Sequence, residues 1–329
     1  MSTDLTLGPV PTLWSSDGIS EAYDASLDLL TRARPLAVQV HTWEPETVAL
    51  RLRTLLPSAA LIVGCGMDGV AKRVAKGEWN VARGVKTFVT LAQRALDAGA
   101  IAIVWNAEGG WKREPSSAEA SRLRELIREA LAAVAARAPA LQQWHTAYDH
   151  PSFHSSYPWR AWLGPDSPVR VSLPQVYAAG SSPGEMLPHR GALPARQARA
   201  LASWGDAVRR GWIRSDALDG TPEDEHDLDW RPYYQLHHVH AADTTAAILA
   251  QPLACLWALH TRADAHGRAA LLASCELWRR GYRGVDAVAR YQSSVGLPPD
   301  GVIGPVTARM LGLADVWPTK APSVLAVAA

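Results

Sequence analysis

The tripeptide Asn106-Ala107-Glu108 closes the most strand-like apolar run of the chain, Ile101–Asn106 (IAIVWN). Side chains alternate along a strand. Asn106 and Glu108 are therefore expected to share a face with Val104, Ala102 and Ala100, while Ile101, Ile103 and Trp105 take the other. A carboxyl held among tryptophan and apolar walls is expected to have a raised pKa, because desolvation disfavours its charged form. An acid that keeps its proton near neutral pH can protonate a leaving oxygen, the step that glycosidic cleavage requires. Glu108 is thus the candidate acid/base. Asn106 is its candidate companion, able to hold a substrate acetamido group for attack on the anomeric carbon. The structural alternative is that Glu108 caps the Gly109-Gly110 loop or pairs with Lys112 or Arg113. Asp17 is the first choice for an auxiliary carboxylate, followed by Asp149, Glu44 and Asp68; each also suits a helix cap or a loop ion pair.

The elements that must position these groups alternate between short apolar runs and longer helical ones. Strands are predicted at Thr12–Asp17, Leu36–Thr42, Ala60–Cys65, Ile101–Asn106, Leu141–Ala147, Val169–Tyr177, Tyr233–Val239 and Leu253–Leu259. Helices are predicted at Ser20–Ala33, Pro45–Leu56, about Val81–Ala98, Ser117–Arg137, Pro158–Leu163, Pro194–Arg210, about Ala241–Ala250 and about Gly267–Arg280. Strands alternating with helices imply parallel pairing with crossover helices. Eight such units fit an α/β fold of the (β/α)8 TIM-barrel type. An open doubly wound sheet is the rival, but Gly64-Cys65-Gly66-Met67-Asp68-Gly69 only loosely imitates its phosphate turn, and the following Val70–Gly77 is read as basic and loop-like. In a barrel, chemistry belongs at the carboxyl ends of the strands. Polar and aromatic residues gather there, among them Asp17, Trp43, Glu108, Tyr148, Asp149, Gln175 and Tyr177.

The 329 residues suffice to bury about three-quarters of the unfolded chain's surface. Lys and Arg number 33 against 32 Asp and Glu, a balance that argues against a nucleic-acid partner, which would call for a more basic chain. Cys65, Cys255 and Cys275 form no CxxC pair and are expected to be reduced and buried. The run His237-His238-Val239-His240 raises a zinc site completed by Asp149, His150 or His154, which would suit an amidase or peptidase. Strand-end histidines that bond substrate or backbone are the simpler reading, and no metal or cofactor is expected. Ser15-Ser16 near His41 and Asp17 lacks a GxSxG elbow and is not read as a triad. The 14 Trp and 8 Tyr against 2 Phe suit sugar rings, which stack on flat aromatic faces and hydrogen-bond at polar edges; ordinary core tryptophan explains them equally. Met1–Pro11 has Asp4 and two prolines where an export signal needs basic residues and an apolar run. No stretch reaches the ~20 apolar residues of a membrane span. The chain is expected to be synthesised in the cytoplasm.

The strand-end acid and Asn106-Ala107-Glu108 resemble the barrel glycosidases that cleave N-acetylated amino sugars, notably family 25 muramidases of phage and bacteria. In those an Asp-x-Glu ends the fourth strand. Here an amide replaces the first acid, which is similar to the Asn-x-Glu of substrate-assisted endo-N-acetylglucosaminidases. A second likeness covers Val285–Leu311 (VDAVARYQSSVGLPPDGVIGPVTARML), which resembles the peptidoglycan-binding repeat of cell-wall hydrolases. In it Val288, Tyr291 and Gln292 lie on a helix, Asp300-Gly301 make a tight turn, Gly304 permits close backbone approach, Pro305 opens the next helix, and Val306, Met310 and Leu311 bury an apolar face. The first helix of the repeat is absent or supplied by Gly267–Arg280.

The resemblance implies a glycoside-hydrolase-like barrel over 1–281, a partial helical wall-binding motif over 282–313 and a tail over 314–329. It implies a phage-endolysin-like hydrolase of peptidoglycan, of muramidase or N-acetylglucosaminidase type. Trp43, Trp105, Tyr148, Asp149, Gln175 and Tyr177 would line its sugar groove. It would act at the wall after release, or as part of a phage tail or injection particle. The competing reading is a non-catalytic barrel that binds glycan or builds such a particle.

Overall fold

The computed structural model describes residues 10–14, 29–147, 156–164, 166–177, 229–230, 233–235, 256–258, 265–284 and 286–318. In chain order these form β1 (Val10–Trp14), β2 (Ala37–His41), α1 (Pro45–Leu55), β3 (Ala60–Gly66), α2 (Asp68–Ala75), α3 (Val81–Asp97) and β4 (Ala100–Asn106). After a 3-10 turn at Gly109–Trp111 come α4 (Ala118–Arg137), β5 (Gln142–Ala147), α5 (Trp159–Leu163), β6 (Val169–Tyr177), β7 (Asp229–Trp230), β8 (Tyr233–Gln235) and β9 (Leu256–Ala258). Three helices follow: α6 (Ala265–Arg279), α7 (Ala287–Ser294) and α8 (Pro305–Met310).

Every strand pairing is parallel. The order β1-β2-β3-β4-β5-β6-β8-β9 returns to β1 and closes a ring, with the two-residue β7 as an extra partner of β6. The chain is an α/β protein of the (β/α)8 barrel type, and the open-sheet alternative is excluded by the β1–β9 and β5–β6 pairings. Closure leaves no edge strand among the eight.

Two apolar layers follow from the alternation of side chains. Val10, Ala37, Ile62, Ala102, Val104, Trp144, Val171 and Leu173 fill the interior of the ring. Val38, Val40, Val63, Cys65, Ile103, Trp105 and Ala107 face outward into the helix layer. The period slips once. Leu61 pairs with Ala100 but Ile62 with Ala102, so Ile101 is an extra residue on β4. Ala100 consequently belongs to the outer layer and Ile101 packs against the inner one, the reverse of the strict alternation expected for them. From Ala102 onward the period holds.

The helices bury the stripes their spacing predicts. Asn80 caps α3 by accepting from the Arg83 backbone N–H at 2.9 Å, and Ser117 caps α4 in the same way from Ala120 at 3.1 Å. A Cβ on Gly84 would stand 2.6 Å from Leu126 Cδ1, so glycine lets α3 and α4 approach closely. Residues 70–77, read from sequence as a loop, belong largely to α2. Val70, Ala71, Val74 and Ala75 recur at helical spacing and are buried, while Lys72 and Arg73 project between them. The basic residues masked a short amphipathic helix.

The outer layer includes Val288, Tyr291, Ile303, Leu311 and Trp317 of the C-terminal segment, and Arg32 forms a two-point ion pair with Asp315 at 2.9 Å. Gln292 is buried and ties the segment together. Its Nε2 donates to Asp300 Oδ1 (2.6 Å) and the Val302 carbonyl (2.9 Å), and its Oε1 accepts from Gly301 N–H (2.9 Å). Gly301 takes φ +74°, and Pro305 opens α8 as expected. Three expectations are corrected. Gly304 has open space at its Cβ position, so nothing there requires glycine for close approach. Val306 and Met310 are exposed; α8 buries Thr307, whose hydroxyl accepts from Gln292 Nε2 of α7 at 3.2 Å, and Ala308, and Leu311 just after it is buried as expected.

His145 sits on the outward side of β5 within an aromatic cluster. Its Nε2 lies 2.7 Å from Tyr157 Oη, and its ring is 5.0 Å from that of Trp162. It is fully buried, and burial pushes its pKa down to about 3 from 6.5. The unfolded chain therefore binds a proton that the folded one refuses. Stability is complete above pH 6.5 and declines as pH falls from 6.5 toward 3. Thermal melts across this range are expected to show falling Tm, with a shallower fall in His145→Gln. An identical pH slope in the variant would show that this buried imidazole is not its source.

Candidate active site at the end of β4

β4 delivers Asn106 to its carboxyl end, where the residue is 8% exposed. Ala102 and Val104 point inward, whereas Ala107 joins the outer layer, so the period places Asn106 on the inner face. Glu108 follows, half-buried, as the chain leaves the sheet.

Glu108 is anchored through its backbone from two sides. Its N–H donates to Asp68 Oδ1 at 2.7 Å, and its carbonyl accepts from Trp111 N–H at 3.1 Å. Ala107 N–H donates to the Thr146 carbonyl at 3.0 Å, and the Asn106 carbonyl accepts from Met67 N–H at 2.8 Å. The ends of β3, β4 and β5 are thereby laced together at this turn. Gly110 is required at its position: a Cβ there would lie 2.6 Å from the Asp68 carbonyl oxygen and 2.8 Å from its Cα. Trp111 is buried as an anchor, 5.0 Å edge-on to Trp162 and 6.4 Å from Phe88. Lys112 lies near enough to feel the charge of Glu108. Burial lowers its pKa, and the charge of Glu108 acts in the opposite direction. The site thus combines a carboxyl on a fixed turn, an amide on the inner face of the same strand, and a nearby cation.

Among the described residues, Asp68, the last of the four auxiliary candidates, is a carboxylate brought to Glu108, where it acts on the backbone. Asp68→Ala leaves the Glu108 N–H without this acceptor. We expect a loss of about 1–3 kcal/mol in urea unfolding, whereas Asp68→Asn, which keeps an oxygen acceptor, loses less. Equal stabilities for all three proteins would remove this clamp from the account.

The other predicted residues divide. Trp43 follows β2 and is 46% exposed, available as a stacking face. Trp105 is corrected: it is fully buried, packs 4.7 Å from Phe88 and donates from Nε1 to Gln143 Oε1 at 3.1 Å. Being one residue from Asn106, it necessarily takes the opposite face and lines no groove. Glu44 is exposed, and its charge acts on Arg94 of α3. Gln175 and Tyr177 lie in β6, with Gln175 paired to Tyr233 and Tyr177 to Gln235 of β8. Asp17, Tyr148, Asp149, Ser15-Ser16 and the histidines at 237–240, 150 and 154 lie outside the described residues, as do the helices predicted at 194–210 and 241–250. β1 begins two residues earlier than predicted and includes Pro11, whose ladder to β2 starts only at Thr12. Among the described residues no group of three potential metal ligands occurs, and no helix is long and apolar enough to cross a membrane. Cys65 and Cys275 are free and buried, and burial pushes both thiols up to about 12.

No family model matches the sequence, and no curated protein sequence matches it. In shape the chain is similar to a family GH18 chitinase from Cycas revoluta, at 13% identity and a TM-score of 0.47, over 82% of this chain and 99% of that one. It is similar to a family 5 glycoside hydrolase from Prevotella bryantii B14 at 12% identity and a TM-score of 0.45, over 82% and 96%. It is also similar to the spore cortex-lytic enzyme SleL of Bacillus megaterium QM B1551 at 8% identity and a TM-score of 0.41, over 70% of this chain and half the length of that one. A xylose isomerase domain protein and a D-allulose 3-epimerase show likeness of the same order.

Proposed function

We propose that this chain is a glycoside hydrolase acting on N-acetylated amino-sugar polymers of the bacterial cell wall. It would cleave β-1,4 bonds of peptidoglycan as a muramidase or an N-acetylglucosaminidase. The observation that carries the reading is Asn106 and Glu108 at the carboxyl end of β4 in a closed parallel barrel, with the backbone of Glu108 fixed by Asp68 and Trp111. Glu108 protonates the leaving oxygen and then activates water as a base. Asn106 orients the acetamido group of the sugar. Asp17 serves as auxiliary carboxylate, and Trp43, Tyr148, Asp149, Gln175 and Tyr177 contact the sugar rings. The C-terminal segment, braced by Gln292, contributes wall affinity. The protein reaches the wall after release, or as part of a phage tail or injection particle.

Asn106 also supports a second reading, a non-catalytic glycan-binding or structural barrel, since an amide stands where the muramidase pattern has an acid. Digestion of purified walls separates the two. New reducing ends without new free amines support a glycosidase. New amines, abolished by a chelator, would instead promote an amidase or peptidase using the histidines at 237–240. No clearing and no new ends favour the non-catalytic barrel.

A further inference from the structure

Gln39 lies on the inner face of β2, between Ala37 and His41 in the alternation. It is 1% exposed, and among the described residues neither its Nε2 nor its Oε1 has a hydrogen-bond partner. Its register partner on β3 is Ile62, yet its amide reaches one level further toward the carboxyl ends. Gly64, the partner of His41, would have a Cβ 2.9 Å from Gln39 Nε2 and 2.7 Å from His41 Cδ2. Glycine is therefore needed at 64 to leave room for both side chains. One step higher on the same face stands Gly66, whose Cβ position is 3.5 Å from His41 Cε1 and whose partner on β4 is Asn106. Gln39, His41 and Asn106 thus follow one another along the inner face toward the mouth.

A buried amide with both ends unmet destabilises the fold, because it has given up water without a replacement. Methionine would fill a similar volume at that level without this penalty. We propose that Gln39 is a specificity-determining residue that hydrogen-bonds the acetamido group of a bound N-acetylated sugar at the floor of the barrel mouth. The acetyl carbonyl accepts from Nε2, the atom that lies against Gly64. The acetyl methyl suits the apolar inner face offered by Ile62 at the level of Gln39 and Val104 one level above it, at that of Gly64. A hydroxyl in place of the acetamido group is too short to supply this contact. The inference rests on the amino-sugar reading above and assigns Asn106 the upper contact and Gln39 the lower.

The test is calorimetric binding of two probes, tetra-N-acetylchitotetraose and cellotetraose, to the Glu108→Gln protein with and without Gln39→Met. The expected result is tighter binding of the acetylated probe, a loss of roughly tenfold or more for that probe alone in Gln39→Met, and a Tm that rises by about 2–4 °C. A purely structural amide would give the opposite pair, a lower Tm with unchanged affinities. Unchanged affinity for the acetylated probe, or no binding of it before Gln39 is altered, overturns the proposal. Hydrolysis is scored separately on the unmodified protein. If that protein binds the acetylated probe through Gln39 but cleaves nothing, the hydrolase reading fails and the specificity assignment stands.

Discussion

Glu108→Gln is expected to stop the release of reducing ends from purified cell walls while leaving Tm and the circular dichroism spectrum unchanged. General acid–base groups contribute about 10²–10⁴-fold, and an amide of the same shape can neither give nor take the proton. Folding should survive because the bonds that fix this residue in the turn use its backbone: the N–H to Asp68 and the carbonyl from Trp111 N–H. Glutamine keeps both. The half-buried side chain also tolerates the loss of charge, which mainly alters the field at Lys112. Wild-type rates in the variant would remove Glu108 from the chemistry. Lost activity accompanied by unfolding would leave the pair Asp68→Ala and Asp68→Asn to separate position from proton transfer.

The second large effect is on stability. Trp111→Ala is expected to destabilise the protein by about 3–5 kcal/mol in equilibrium unfolding, the range for truncating a buried large aromatic. Trp111 is 1% exposed and touches the rings of both Phe88 on α3 and Trp162 on α5, so its removal opens a void between two helices that wrap the barrel. It is also the residue whose N–H holds the Glu108 carbonyl. Catalysis is expected to fall in Trp111→Ala even well below its melting temperature, whereas Trp111→Phe, which keeps much of the ring, should recover most of both properties. A loss under 1 kcal/mol would mean that the turn does not depend on this anchor.

Much of the fold was legible because a barrel is written in local patterns. β3 and β4 are short apolar runs, and the longer described helices of the barrel carry their stripes at a spacing of three and four. Three errors have physical causes that spacing does not encode. The extra residue Ile101 inverted the faces at the start of β4, because a bulge depends on how β3 meets β4. Helix α2 was hidden because its charged residues outweighed a stripe of only four small apolar ones. Val306 and Met310 were assigned to a core because they are apolar, yet which face of α8 is covered depends on where α7 and the preceding loop lie. At the site, the sequence pointed to Asn106 and Glu108 through strand alternation. It could not show that Asp68, 40 positions earlier, holds the Glu108 backbone, nor that the Gln39 amide ends against Gly64 with no partner among the described residues.

The periods of two and of 3.6 along the chain were enough for most of the described strands and barrel helices, α2 and β7 excepted, for the parallel pairing and for the residues delivered to the end of β4. Only the tertiary structure decided which residues stand together at that end. Ring closure brings β3 beside β4 and β2 beside β3, and the contacts so made are set by steric fit between distant segments: a glycine where a Cβ would collide, and a carboxylate within reach of an amide hydrogen.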